Sequence, residues 1–132
     1  MNSPKKPAIS RNNNRMDSFL RDLEPFFHRI PVIYVDVGAH RGDTFLELLG
    51  SGLNVNRAHL IEPNPKSFAA LRDAVDQSSM SGKAVCYNMA AAAALGTVHL
   101  RDAGKMSQVI PDPGAAKGRP NAAQGEVFEV EA

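Results

Sequence analysis

The sequence predicts an α/β fold, and three observations lead there. An apolar, β-branched run over residues 31–37 ends in a loop carrying Gly38 and Gly42, which opens into a helical pattern. A second apolar run over 55–61 closes on Glu62 and Pro63, and it too leads into a helix. A third, over 83–89, follows at the same rhythm. Strand, helix, strand, helix, strand is the order of a parallel sheet joined by right-handed crossovers. Near-continuous apolar runs of this kind fit strands buried on both faces.

The elements follow in chain order. Residues 1–15 carry Pro4, Pro7, three successive asparagines and the cations Lys5, Lys6, Arg11 and Arg15. They cannot form a core, so they read as a disordered basic tail rather than a nucleic-acid arm. Met16 opens the structured domain, 16–132, and is an alternative natural start. Residues 17–30 set Phe19, Leu20, Leu23, Phe26, Phe27 and Ile30 at helical spacing, and Pro25 predicts a kink or two short helices. This element is expected to pack on the first strand with its aromatic stripe in the core. Over 43–50, Thr44 and Glu47 form a candidate capping box. Pro63 holds Glu62 extended. Asn64 and Pro65 then read as the N-cap and first position of a helix over 65–77. Its buried stripe is Phe68, Leu71 and Val75, with Arg72, Asp73 and Asp76 outward. After the strand over 83–89, small residues 90–94 lead to a strand over 95–101. No crossover fits between the two, so they are expected to pair antiparallel. Residues 102–125 hold three prolines and four glycines and read as a flexible loop, disordered rather than an active-site lid.

Composition bounds the function. A chain of 132 residues, 43% hydrophobic and 22% charged, makes one ordinary globular domain. A net charge of +1 argues against a broad nucleic-acid or membrane surface. No apolar run approaches the length that crosses a bilayer, and no signal-peptide core is present. The single cysteine, Cys86, lies in an apolar run and reads as a reduced, inert thiol. A cytoplasmic location follows by default.

The loop after the first strand is the candidate ligand site. Its glycines permit a tight turn and close approach, and the helix beyond offers free N–H groups and a positive dipole end. A dinucleotide fingerprint reads G-x-G-x-x-G; the order here is D-x-G-x-x-x-G, led by Asp36. An acid suits an ammonium and a sulfonium better than a pyrophosphate, a description that fits S-adenosylmethionine. At the tip of the second strand Glu62 is placed to accept from ribose hydroxyls. The cofactor-binding set is therefore Asp36, Gly38, Ala39, His40, Gly42, Glu62 and Asn88. Each has a plainer reading. Asp36 can be an acid near a helix N-terminus, and Glu62 a solvated strand end or a partner for Arg57. Asn88 lies beside the adenine ring or satisfies a turn. Histidine is a common general base, yet for His40 a loop-packing role is preferred to that of a base. His28, His59 and His99 are isolated, so no metal site is assigned.

These residues also carry a family resemblance. Val35-Asp36-Val37-Gly38-Ala39-His40-Arg41-Gly42-Asp43-Thr44 and Ile61-Glu62-Pro63-Asn64-Pro65 resemble FkbM-type S-adenosylmethionine-dependent methyltransferases. Tyr87-Asn88-Met89-Ala90 and Gly96-Thr97-Val98-His99-Leu100 are similar to that family's third strand and following hairpin. The resemblance spans roughly residues 31–131. It implies a Rossmann-like class I methyltransferase fold, here a truncated parallel sheet with helices on both faces. It also implies methylation of a hydroxyl on a small molecule or glycan. The donor's methionine end would lie over 38–42, with Asp36 near its amino group. Residues 128–132 look like the strand before the family's Thr-Leu-Asp motif, so the later strands and much of the acceptor pocket are expected to be absent. An incomplete sheet invites self-association through its open edge. Two alternatives stand beside this reading: an NAD-binding Rossmann fragment, and a non-catalytic nucleotide-binding or interaction module.

Overall fold

The computed structural model describes residues 15–103, 106–110 and 126–132. The predicted tail, apart from Arg15, therefore lies outside the described residues. Helix α1 (Arg15–Phe27) leads into β1 (Val32–Val37), α2 (Asp43–Gly50), β2 (Val55–Ile61), α3 (Pro65–Asp76) and β3 (Ala84–Tyr87). The three strands form a parallel sheet in the order β1-β2-β3. Its register sets Tyr34 beside Ala58 and Ala84 in one row, and Asp36 beside Leu60 and Cys86 in the next.

One face of this sheet holds the core. Tyr34, Ala58, Leu60, Ala84 and Cys86 point the same way, because side chains alternate along a strand. Against them pack Leu20 from α1, Phe45 and Leu48 from α2, and Leu71 and Val75 from α3. Tyr34 stacks on Phe45, with ring centroids 6.1 Å apart. Between α1, β1 and α2 lies an apolar cavity of about 270 Å³, walled by Leu20, Leu23, Phe27, Tyr34 and Leu48. All the described helices thus cover the same face, which corrects the expectation of helices on both. On the other face Ile33, Val35 and Val37 are 63%, 57% and 61% exposed. The β-branched run is long enough for burial on two sides but has only one apolar neighbour layer.

Helix α1 corrects two further expectations. It is one helix with Pro25 inside it, and not two short ones. A proline two residues from a helix end removes only one of the last backbone bonds, and the chain still closes through His28 N–H to the Glu24 carbonyl at 2.9 Å. Its aromatic stripe is not core: Phe19 and Phe26 are exposed, and Leu20 is the buried contact. Leu20, Leu23 and Phe27 repeat at i, i+3 and i+7 along the cavity between α1 and β1, where Phe27 stays partly exposed and Phe19 borders the mouth.

The antiparallel expectation for the next strand also changes. Strand β4 (Thr97–Ala103) does not pair with β3. It is the centre of a second sheet, antiparallel to β5 (Met106–Ile110) and β6 (Val127–Glu131) in the order β5-β4-β6. The predicted loop over 102–125 therefore contains a strand; its parts at 104–105 and 111–125 lie outside the described residues. Leu100 and Val130 form a small core with Ala90. The second sheet is tied to the first half through Ala90 N–H to the Glu131 carbonyl at 2.8 Å. Asn64 Nδ2 donates to Ser107 Oγ at 3.0 Å, and Lys66 pairs with Glu126 while lying over the Phe128 ring.

Candidate functional site

The carboxyl ends of β1, β2 and β3 meet in one rim, and the sequence-predicted residues gather there. The chain leaves β1 through Gly38 at φ +84°, His40 at φ +51° and Gly42 at φ +88°. Three left-handed residues in five fold the segment back toward β2. Gly38 and Ala39 both donate N–H bonds to the Ile61 carbonyl, at 2.8 and 3.0 Å. Histidine tolerates the left-handed region better than most side-chain-bearing residues, and the backbone of His40 is what the rim uses. Its N–H donates to Glu62 Oε2 at 2.8 Å.

Glu62 is the centre of this arrangement. It is only 5% exposed. Its other oxygen, Oε1, accepts the Asn64 N–H at 2.8 Å, and its own N–H continues the ladder to the Tyr87 carbonyl at 3.0 Å. Asn88 Nδ2 donates to the Glu62 and Pro63 carbonyls, at 2.9 and 3.1 Å. Its amide therefore satisfies the turn, the plainer of its two readings, while staying at the rim. Glu62 makes no solvated strand end and no pair with Arg57; its carboxylate locks the loop after β1 to the turn after β2.

The glycines divide the work. A Cβ on Gly42 would stand 3.0 Å from Leu71 Cδ1, so this residue is needed where α2 approaches α3. A Cβ on Gly38 would meet nothing within 4 Å, which leaves open space beside the backbone at the mouth of the loop. Gly42 is also the N-cap of α2, with no side-chain cap. That corrects the capping box expected of Thr44 and Glu47: both already lie inside the helix, which begins at Asp43. The free N–H groups of the first turn and the dipole end face the same rim.

Asp36 is half-buried, one residue before the end of β1. Tyr34 donates its hydroxyl to Asp36 Oδ2 at 2.9 Å. Burial first, and then the bond to Asp36 and its charge, push the Tyr34 phenol above its ordinary range. Sequence reasoning missed Tyr34; the available signal was its i−2 position on the same strand face as Asp36. Cys86 packs against the core, and burial raises its thiol above the usual value. Among the described residues no three His, Cys, Asp or Glu side chains gather as a metal site, and no helix is long and apolar enough to cross a membrane.

No family model and no curated protein matches the chain. Among solved structures, it is similar to the crystal structure of methyltransferase FkbM from Methylobacillus flagellatus KT. Identity there is 21% and the TM-score 0.43, over 49% of this chain and 18% of that one.

Proposed function

We propose that the rim formed by residues 36–42, Glu62 and Asn88 binds S-adenosylmethionine, and that the protein transfers its methyl group to a hydroxyl of a small molecule or sugar. The observation that carries this reading is the clamp of Glu62 on the loop after β1. It fixes an open glycine corner and a helix N-terminus beside Asp36 at the carboxyl edge of a parallel sheet, where nucleoside ligands dock in α/β folds. Asp36 supplies the negative charge for the ligand's ammonium. The space beside Gly38 admits its methionine portion. Both Glu62 oxygens already accept one N–H each, and a carboxylate has about four acceptor positions, so capacity remains for ribose hydroxyls. Asn88, held by the turn, borders the adenine position.

The donor contributes a methyl on a positively charged sulfur, open to in-line displacement. The chain's own part is positioning. Asp36 orients one end of the ligand, Glu62 the ribose, and the loop backbone fixes the distance between them. No side chain at the rim is assigned the acceptor's proton. His40 is committed through its backbone.

Thermal unfolding with S-adenosylhomocysteine and, separately, with NAD tests the proposal. S-adenosylhomocysteine should raise the midpoint, and at a hundredfold excess over its Kd the gain is about 2.7 kcal/mol. Stabilisation by NAD alone would replace this reading with a dinucleotide site.

A further inference from the structure

We infer that Tyr34 is a positioning residue that sets the site's preference for ligands bearing an amino group, by holding Asp36 through its hydroxyl. This rests on the donor-binding reading above. The Tyr34 hydroxyl donates to Asp36 Oδ2 at 2.9 Å, which ties down one oxygen of the carboxylate and leaves Oδ1 for a ligand. The ring itself cannot swing away. It stacks on Phe45 at 6.1 Å, with an interplanar angle of 18°, and Phe45 is completely buried. A two-residue offset on one strand puts both side chains on the same face, so the phenol reaches the carboxylate without distorting β1. The rise of the phenol's own ionisation keeps the hydroxyl proton in place, so the hydroxyl stays the donor of this bond. The result is a carboxylate restrained through one oxygen, with the other left to accept from a ligand. A fixed charge of that kind discriminates ligands by the cation they carry.

The test compares two nucleosides that share the adenosine thioether and differ in the amino acid end. S-adenosylhomocysteine carries the ammonium, and 5′-methylthioadenosine lacks it. Calorimetric titration of the full chain should show Tyr34→Phe weakening S-adenosylhomocysteine about three- to tenfold, the span of one typical net hydrogen bond. The affinity of 5′-methylthioadenosine should stay unchanged. In an Asp36→Asn background the same Tyr34→Phe change should have no effect on either ligand. Equal weakening of both ligands would make Tyr34 a general packing residue and overturn the inference. So would unchanged or tighter S-adenosylhomocysteine binding. If the unsubstituted chain binds neither nucleoside, the donor-binding reading itself fails. Tyr34→Phe keeps the stacked ring, and its unfolding midpoint checks that the fold is intact.

Discussion

At Glu62 the structure turns a sequence expectation into a stability question. The carboxylate is buried and each oxygen accepts one backbone N–H, from His40 and Asn64. Glu62→Gln keeps the shape but turns an amide N–H₂ toward one of those donors. One N–H then loses its partner, which costs about 1–3 kcal/mol. Urea unfolding of Glu62→Gln should show that loss, and an unchanged midpoint would mean the loop holds without the clamp. Tyr34 makes a second prediction. Its folded-state phenol titrates above the unfolded value of about 10. The stability it contributes is therefore full below about pH 10 and is lost as pH rises through the folded value. Ultraviolet titration should show a late tyrosinate phase that disappears in Tyr34→Phe. Asp36 and Glu62 were legible as acids at strand ends because position and residue type suffice for that. Their partners were not: Tyr34 needed the strand's facing, and the N–H of His40 needed the loop's left-handed fold.

Among the elements, the two helix starts show what a sequence displays and what it hides. Asn64 caps α3 through its own side chain, accepting from the Lys66 and Ser67 N–H groups at 3.0 and 3.4 Å. A capping side chain is visible in a sequence, and so is Pro65 behind it. Helix α2 starts instead from the backbone of Gly42, whose φ of +88° no side chain announces, so Thr44 and Glu47 offered a false start. The loop between β1 and α2 then makes a graded prediction. Gly38→Ala meets open space and carries only the left-handed penalty, about 1 kcal/mol. Gly42→Ala adds a 3.0 Å contact with Leu71 Cδ1 in the packed core, so its cost should exceed that of Gly38→Ala by about 1 kcal/mol or more. Thermal unfolding of the two variants side by side checks the order. The reverse order would mean that Leu71 moves aside freely.

Over the whole molecule, the parallel half was legible because each crossover leaves a helix-length gap between apolar runs. Whether a second layer covers those runs is not written in them: Ile33, Val35 and Val37 read the same buried or bare. The second sheet was hidden for another reason. Strand β4 pairs with β6 about thirty residues on, Thr97 with Glu131 and Arg101 with Val127, and no local pattern marks so distant a partner. The bare face and the outer edge of β1 then raise a question of association. β1 is an edge strand, and among the described residues no strand pairs with its outer side. Three β-branched side chains stand on its uncovered face, with Val85 46% exposed on β3. An edge with free N–H and carbonyl groups, whose uncovered face carries only apolar side chains from β1, is a template for another strand. In a twofold antiparallel pairing centred on Val35, Ile33 of one copy faces Val37 of the other, and Tyr34 faces Asp36, so no like charges oppose. Sedimentation velocity should show a dimer that grows with concentration. Val35→Lys puts two ammonium groups face to face at the centre of that pairing and should return the chain to monomer. A chain monomeric at every concentration, or a dimer indifferent to Val35→Lys, would show that the edge of β1 is not where copies meet.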